Sequence, residues 1–348
     1  MRLPTERPAA GRLPSRGGGS GHTAPAHSSP RERRRAEPQA PHEPGPDGLL
    51  VVLNPRSGRG GGGRRDTEAQ VAQACEAAGL AVEIAPTGRR RSPEDVAREG
   101  VERGFRRIAA AGGDGTICAV ASVLAGTDRT LGVLPKGTFN YFARSLGVLQ
   151  DLAGAVEVLR SGAPRRVSVA RVNGHAFLNN ASLGACAAIL ETREDVYRRW
   201  GRSRVAAYWS VVKTLATLRA PLDLTIEAGG ETVRRRTPMA FAVANAYQLD
   251  QMGLPGRACV EAGGLALFVA PDSGRWGLMR HAAALALGVA KPERDYELIC
   301  GATIRIAPRR PNRLVARDGE RARMRGPFEL SVAPGALSVL APREEGPA

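Results

Sequence analysis

In the first half of the chain, short apolar runs alternate with stretches in which apolar residues recur at helical spacing. Residues 48–53 form a nearly continuous apolar run, which is typical of a strand buried on both faces. Residues 66–78 have helical spacing, and Ser92, followed by proline and two acidic residues, predicts the start of a second helix. Further strands are predicted at residues 80–85, 107–111 and 131–134. Strands that alternate with helices indicate an α/β fold with a parallel sheet.

The pattern changes after about residue 165, where predicted strands are separated by turns and fewer helices lie between them. These strands are predicted at residues 166–172, 222–226, 239–244, 265–269 and 303–306. One long helical stretch, about residues 191–218, interrupts them. The pattern therefore predicts a second domain that is rich in antiparallel β-structure.

Residues 1–46 differ in composition from the rest of the chain, because proline, glycine, serine and arginine dominate them. Such a segment cannot bury enough apolar surface to offset the entropy of ordering, so we expect a disordered tail. A basic arm that holds anionic lipid and an extension without function are both open interpretations. The ordered part is predicted to consist of two domains, residues 47–162 and residues 163–341.

The chain of 348 residues carries a formal net charge of +16, and a basic surface attracts nucleic acid, anionic lipid headgroups or phosphorylated substrates. Aromatic residues make up only 4% of the chain, which leaves few stacking platforms for single-stranded nucleic acid. We therefore expect no nucleic-acid partner. No apolar run approaches the roughly 18–20 residues that a membrane-spanning helix needs, so any membrane contact is expected to be peripheral.

The five cysteines are scattered along the chain and never form a C-x-x-C pair. This spacing argues against a disulfide framework and against a zinc site. We therefore expect a protein of the reducing cytoplasm.

Three turn-rich segments, residues 54–63, 112–116 and 135–140, each follow a predicted strand. Ligands of open α/β sheets gather at the carboxyl ends of the strands, so these segments are expected to line one pocket. Residues 112–116 read Gly-Gly-Asp-Gly-Thr and lead into a helix, where glycines allow close approach and successive N–H groups favour a phosphate. The alternative is an ordinary strand-to-helix turn that is capped by Asp114.

The other two segments are less informative on their own. Residues 58–63 satisfy G-x-G-x-x-G only because they are a glycine run, and Glu83 is poorly placed as the acid of a dinucleotide site. In the third segment, Thr138 and Asn140 offer side chains to a nucleotide, with Lys136 nearby to offset phosphate charge. A glycine turn before an aromatic-packed helix is the alternative there.

Together, the motifs at residues 54–58, 112–116 and 137–144 resemble the diacylglycerol kinase catalytic-domain family, which also includes sphingosine and ceramide kinases and bacterial lipid kinases. The resemblance implies a Rossmann-like parallel α/β nucleotide-binding N-terminal domain and a β-sandwich-type C-terminal domain, with ATP between them. It implies that residues 47–162 bind ATP and that residues 163–341 receive the lipid. The residues that it assigns to the nucleotide are Asn54, Ser57, Gly58, Thr87, Gly112, Gly113, Asp114, Gly115, Thr116, Thr138 and Asn140.

The sequence Asp318-Gly319-Glu320 resembles the C-terminal D-G-E of the same family, whose aspartate is the proposed general base. The resemblance assigns the base to Asp318, with Glu320 as a supporting carboxylate or a partner for a metal ion. A hairpin turn with a surface acid is the alternative, since Asp-Gly is common there. The chain departs from the family at Ala262, which stands in place of an aspartate of a structural Mg²⁺ site, so we assign no metal ligand.

The leading interpretation is an ATP-dependent lipid kinase that uses ATP and Mg²⁺ on a lipid at a membrane surface. Basic and aromatic residues over 198–209 suit docking on anionic lipid at the inner face of the membrane, although a packed helix with a solvated basic end explains them as well. Two alternatives remain, an NAD kinase-like enzyme, which shares Gly-Gly-Asp-Gly-Thr, and a non-catalytic nucleotide- or lipid-binding relative. The acceptor lipid and a homodimeric assembly are left open.

Overall fold

The computed structural model describes residues 48–57, 64–185, 221–274, 277, 280 and 295–343. Gly58, the predicted tail at residues 1–46 and the predicted helix at residues 191–218, with its docking segment, lie outside these ranges. The predictions for those segments therefore stay predictions.

The first part of the chain folds as a parallel sheet with helices in the connections, as the sequence predicts. Its elements are β1 (Leu49–Leu53), α1 (Arg64–Ala77), β2 (Val82–Pro86), α2 (Pro93–Glu102), β3 (Arg107–Gly112), α3 (Asp114–Leu124), β4 (Thr130–Pro135), α4 (Tyr141–Ser145) and α5 (Leu152–Ser161). The strands follow the order β2-β1-β3-β4 and are parallel. Every residue of β1 is buried, which confirms that its apolar run belongs to a strand covered on both faces.

Helix α2 starts where the sequence predicts, because its first turn forms a capping box. The Ser92 hydroxyl accepts a hydrogen bond from the backbone N–H of Asp95, at 3.2 Å, and the Asp95 carboxylate accepts from the backbone N–H of Ser92, at 3.0 Å. Pro93 occupies the first helical position, where its missing N–H costs nothing.

The second part of the chain consists mainly of antiparallel strands. Its elements are β5 (Ala163–Val172), β6 (His175–Phe177), β7 (Asn180–Gly184), β8 (Leu222–Ala228), β9 (Glu231–Thr237), β10 (Met239–Val243), α6 (Ala246–Met252), α7 (Arg257–Glu261), β11 (Leu265–Val269), β12 (Glu297–Gly301), β13 (Thr303–Pro308), β14 (Asn312–Arg317), β15 (Glu320–Arg325) and β16 (Phe328–Ala341). One six-stranded antiparallel sheet has the order β12-β11-β10-β7-β14-β15. It packs against the strands that extend the first sheet, around a shared apolar core. The predicted fold class, a parallel α/β part and a β-sandwich-type part, is confirmed.

Strand β16 belongs to both parts of the fold. Near its C-terminal end it runs parallel to β4, with Ser338 opposite Thr130, and near its N-terminal end it pairs with β13. Leu337 packs in the core of the parallel sheet, whereas Phe328 packs in the core of the sandwich. Strand β16 therefore connects the parallel sheet to the sandwich.

Several strands are absent from the sequence-based prediction, and the clearest cases are β9 and β15. Both are rich in arginine and end their sheets, so each pairs with a neighbour on one side only. A strand that faces solvent along one edge needs little apolar alternation, which removes the signal that identifies strands.

Among the described residues, no helix combines the length and the apolar character that crossing a membrane would require.

The expectation that no disulfide forms is wrong, because Cys259 and Cys300 are paired. Cys259 lies in α7, which follows α6 and precedes β11, and Cys300 lies in β12 directly opposite Ala266 of β11. The register of β11 with β12 brings the two cysteines within a Cα–Cα distance of 5.7 Å. Spacing along the sequence carries no information about this long-range pairing.

We expect reduction of this disulfide to destabilise the protein. The cysteines are separated by 41 residues, and closing a loop of that size constrains the unfolded chain by about 3–4 kcal/mol. Chemical denaturation should show that dithiothreitol lowers the free energy of unfolding of the wild type by up to that amount, and that Cys259→Ser makes the protein insensitive to it. Alkylation of both Cys259 and Cys300 in unreduced, denatured protein would contradict the pairing.

Candidate functional site

The loops after β1, β2 and β3 meet at one edge of the parallel sheet. The backbone N–H of Asn54 donates to the carbonyl of Ala111, at 2.9 Å, and the Asn54 Nδ2 donates to the hydroxyl of Thr116, also at 2.9 Å. The backbone N–H of Thr87 donates to the carbonyl of Leu53, at 2.8 Å, and its side chain is buried. Three of the predicted nucleotide residues are therefore held together by hydrogen bonds within the protein.

Helix α3 begins at the glycine-rich loop without a side-chain cap. Its N-cap residue is Gly113, in extended conformation, so no N-cap side chain accepts from its first turn, although the Asp114 carboxylate accepts from its own backbone N–H. Gly112 has no room for a side chain, since a Cβ there would lie 2.5 Å from the Cβ of Thr116. The free N–H groups of such a turn, together with the helix dipole, form an anion-binding site.

The loop after β4 packs directly against the glycine-rich loop, and backbone atoms of the two loops are in contact. A Cβ on Gly137 would lie 2.7 Å from the Cα of Gly113 and 2.6 Å from the Oδ1 of Asn140. The backbone N–H of Lys136 donates to the carbonyl of Gly112, at 2.8 Å. Glycine at position 137 is therefore what permits the two loops to approach.

Asn140 and Thr138 differ in what their side chains do. The Asn140 Oδ1 accepts from the backbone N–H of Gly137, at 2.9 Å, and its Nδ2 donates to the Gly137 carbonyl, at 3.1 Å, and to Gln150 Oε1, at 3.0 Å. Asn140 has a φ of 51° and a buried side chain. Its side chain therefore stabilises the conformation of the loop after β4. Thr138 is exposed near the tip, beside Phe139, which is stacked on Tyr141.

Asp114 is held by groups from two other elements. Its Oδ1 accepts from the backbone N–H of Phe142, at 3.3 Å, and from the Nδ2 of Asn179, at 3.2 Å. The Oδ1 of Asn179 in turn accepts from the Nδ2 of Asn245, at 2.7 Å. Burial raises the pKa of Asp114, and the hydrogen bonds from Phe142, Asn140 and Asn179 oppose that shift.

Asn179 and Asn245 have no functional role in the sequence-based prediction, although both are almost fully buried. Asn245 is the N-cap of α6, with its Oδ1 facing the backbone N–H of Gln248. An asparagine before a short helix is a recognisable cap signal. Its second contact, across the fold to Asn179, has no signature in the sequence.

Asp318 lies in the tight turn between β14 and β15, as the hairpin interpretation predicts, with a φ of 43° followed by 88° at Gly319. Its carboxylate points inward. One oxygen accepts from the backbone N–H of Leu178, at 2.6 Å, and the other accepts from Asn179 and Asn180, at 2.9 and 3.0 Å. Burial raises the pKa of Asp318, and these hydrogen bonds act in the opposite direction.

Glu320 is the first residue of β15 and lies beside the glycine-rich loop. A Cβ on Gly115 would be 3.7 Å from the Glu320 Oε1 and 3.6 Å from the Asp318 carbonyl oxygen. Glu320 also lines a polar cavity of about 340 Å³. The other charged or titratable side chains that line this cavity are Glu94, Arg98, Cys118, Arg171, His175 and Arg317.

The structure thus brings the predicted nucleotide and catalytic residues into one region, through the contacts Asn54–Thr116, Gly113–Gly137 and Gly115–Glu320. Ser57 closes the turn after β1, where its backbone N–H donates to the Asn54 carbonyl at 3.1 Å. Their roles in binding or catalysis stay predictions.

The residues of the described ranges do not form a structural Mg²⁺ site around Ala262. Glu261, the nearest acid in sequence, forms an ion pair with Arg257 at 2.7 Å. No group of three or more histidine, cysteine, aspartate or glutamate side chains in the described part of the chain is arranged to hold a metal ion. The loss of the structural Mg²⁺ site at Ala262 stays a prediction.

The chain matches two family models, one for each part of the fold. Residues 48–172 match the diacylglycerol kinase catalytic domain, and residues 179–341 match the YegS C-terminal NAD kinase beta sandwich-like domain. Residues 48–172 are therefore a domain of the diacylglycerol kinase catalytic-domain family, and a YegS C-terminal domain follows them.

Among the relatives of the family, a diacylglycerol kinase of Bacillus subtilis is 36% identical over 186 residues, which cover 52% of this chain and 59% of that protein. A YegS-like lipid kinase of Pseudomonas syringae is 41% identical over 106 residues, covering 30% and 34%. A diacylglycerol kinase of Mycobacterium tuberculosis is 26% identical over 249 residues, covering 70% and 79%. The match therefore spans less than two thirds of the length of each of the first two relatives.

A solved structure of a diacylglycerol kinase from Bacillus anthracis superposes with a TM-score of 0.64. It covers 85% of this chain and 97% of that chain at 21% identity. At this identity the likeness shows the fold.

We expect Gly137→Ala to weaken ATP binding. The new methyl group would push the loop after β4 away from Gly113, and overpacking of this kind costs about 1–3 kcal/mol, or about 5- to 150-fold in affinity. Calorimetric titration with MgATP would measure the effect. Gly88→Ala is the matched control, because a Cβ there meets nothing within 4 Å. Equal ATP affinities for the two variants would contradict the packing argument.

We expect Asn179→Ala to destabilise the fold by about 1–3 kcal/mol, because it removes the acceptor of the buried Asn245 Nδ2 and one of the hydrogen bonds to Asp114. Urea denaturation would measure the change in the free energy of unfolding. Asn312→Ala, at an exposed asparagine of β14, should stay within about 0.5 kcal/mol of the wild type. A similar small effect for Asn179→Ala would show that the buried contacts contribute little.

Proposed function

We propose that this protein is an ATP-dependent lipid kinase, which transfers the γ-phosphoryl group of ATP to a hydroxyl of a lipid such as a diacylglycerol or a sphingoid lipid. The observation that carries the proposal is the position of Gly115. It lies in the first turn of α3, and it also abuts Asp318 and Glu320. The turn proposed to bind phosphate therefore adjoins the backbone of Asp318 and the carboxylate of Glu320, and phosphoryl transfer to a hydroxyl needs both a phosphate site and a nearby carboxylate.

The nucleotide half of the proposal rests on the N-terminus of α3 and the loops around it. The N–H groups of residues 113–116 suit the β- and γ-phosphates, and the exposed Thr138 lies on the adjoining loop. Mg²⁺ is proposed as the partner of the ATP phosphates, where it would neutralise charge that develops during transfer. No protein ligand is assigned to it.

The acceptor half rests on the cavity that Glu320 lines. Three arginines and a histidine share its wall with two glutamates, so it suits a polar headgroup rather than an acyl chain. We propose that the lipid headgroup enters there while the acyl chains stay at a membrane surface. The names of the B. subtilis and M. tuberculosis relatives favour diacylglycerol as the first acceptor to test.

The test is transfer of labelled γ-phosphate from ATP to a panel of lipids in mixed micelles, with products identified by mass spectrometry. The panel contains diacylglycerol, a sphingoid base, a ceramide and a phosphatidylglycerol. We expect at least one phosphorylated lipid, and no NADP when NAD is offered instead.

Two results would decide against the proposal. NADP formation without a lipid product would favour an NAD kinase-like activity, for which the match of residues 179–341 to an NAD kinase-like sandwich is the supporting observation. Tight MgATP binding without any phosphorylated product would favour a non-catalytic relative.

A further inference from the structure

Three side chains connect helix α6 to the first turn of α3 through hydrogen bonds that all run in one direction. The Asn245 Oδ1 accepts from the backbone N–H of Gln248, at 3.4 Å, and thereby caps α6. The Asn245 Nδ2 donates to the Asn179 Oδ1, at 2.7 Å. The Asn179 Nδ2 in turn donates to the Asp114 Oδ1, at 3.2 Å. Asn245, Asn179 and Asp114 thus form a series, here named the amide relay.

The direction of the amide relay is fixed at both of its ends. A backbone N–H can only donate, so the Asn245 amide has to turn its oxygen to Gln248 and its NH₂ group to Asn179. An ionised carboxylate can only accept, so Asp114 requires the NH₂ group of Asn179. Asn179 and Asn245 are 1% and 5% exposed. An amide that turned round would therefore leave buried polar groups without partners, which is costly.

The other polar neighbours of the Asp114 carboxylate are donors as well. The backbone N–H of Phe142 donates to the same oxygen as Asn179 does, at 3.3 Å. The backbone N–H groups of Asn140 and of Asp114 itself also donate to the carboxylate. Burial raises the pKa of Asp114, and these hydrogen bonds oppose that shift, because donors favour the ionised form. An acceptor in place of the Asn179 donor would therefore change the charge in the first turn of α3.

We infer that Asn245 and Asn179 are positioning residues of the kinase, which fix Asp114 as an anion in the turn proposed to bind the ATP phosphates. Asn245 acts through Asn179, since its side-chain hydrogen bonds within the described ranges go to Asn179 and Gln248. This inference rests on the proposed function. A fixed negative charge in that turn repels free ATP more strongly than MgATP, which carries fewer negative charges. The amide relay thereby gives α6 a part in the selection of the metal-bound nucleotide.

Asn245→Asp reverses the direction of the amide relay and keeps the helix cap. Aspartate caps a helix about as well as asparagine, but its carboxylate cannot donate to Asn179. The Asn179 amide then has to turn its NH₂ group to position 245 and its oxygen to Asp114. Two acceptors would meet there, so Asp114 takes a proton from solvent and the negative charge passes to position 245.

The experiment measures the melting temperature and, by calorimetric titration, the ratio of the affinity for MgATP to the affinity for ATP in EDTA. Asn245→Asp should lower the melting temperature, and it should lower the affinity ratio by about tenfold because a unit charge leaves the turn. Asn312→Asp, the same change at an exposed position of β14, is the control and should match the wild type in both measurements.

Asp114→Asn supplies the complementary change. In the double variant of Asp114→Asn with Asn245→Asp, the amide at position 114 can donate to the turned oxygen of Asn179, so each group of the amide relay has a partner again. The double variant should therefore melt at a higher temperature than Asn245→Asp alone, or fold where Asn245→Asp does not. Its affinity ratio should stay at the low value of Asp114→Asn, because the charge remains at position 245.

The two measurements decide the two parts of the inference separately. A double variant that is no more stable than Asn245→Asp overturns the amide relay, and so does an Asn245→Asp variant as stable as Asn312→Asp. Recovery of the affinity ratio together with the melting temperature in the double variant overturns the role of the Asp114 charge. A wild type that binds neither MgATP nor ATP rejects the proposed function and the role at the phosphate turn, whereas the melting temperatures still decide the amide relay.

Discussion

The buried carboxylate of Asp318 is the interaction on which the geometry of the site depends. Three consecutive backbone N–H groups, from Leu178 to Asn180, converge on it at the start of β7. Burial of a charge is costly unless hydrogen bonds compensate for it, and this arrangement supplies them from one short segment. The turn that precedes Glu320 is thereby fixed to the segment that joins β6 to β7, which contains Asn179.

A second series of polar contacts runs from residues 178–180 to the first turn of α3. Asn245 orients the Asn179 amide, and Asn179 contacts Asp114 in the first turn of α3. The same asparagine thus touches Asp114 through its side chain and Asp318 through its backbone N–H. The loop and the turn are positioned relative to each other by a hydrogen-bonded network in which Asn179, Asn245 and Asp318 are buried and Asp114 is partly buried.

The sequence predicts the parallel sheet, its loops and five of the twelve described strands from β5 to β16, because buried strands and capped helices leave local signals, as at residues 48–53 and Ser92. It does not predict β9 and β15, whose arginine-rich edges lack apolar alternation. The role of Asp318 inside the protein and the Cys259–Cys300 pair depend on contacts between distant segments. Residue type alone shows that Asp318 and Glu320 are acids; only the fold shows that the Asp318 carboxylate accepts three backbone hydrogen bonds.

The sharing of β16 between the two sheets has a consequence for how the chain folds during synthesis. Strand β4 can pair with β16 only after about two hundred further residues have been made, since Thr130 lies opposite Ser338. The parallel sheet therefore leaves the ribosome with the edge at β4 unpaired. Domains that are continuous in sequence, by contrast, can fold as they emerge. Completion of that sheet is a late event, and it coincides with closure of the sandwich.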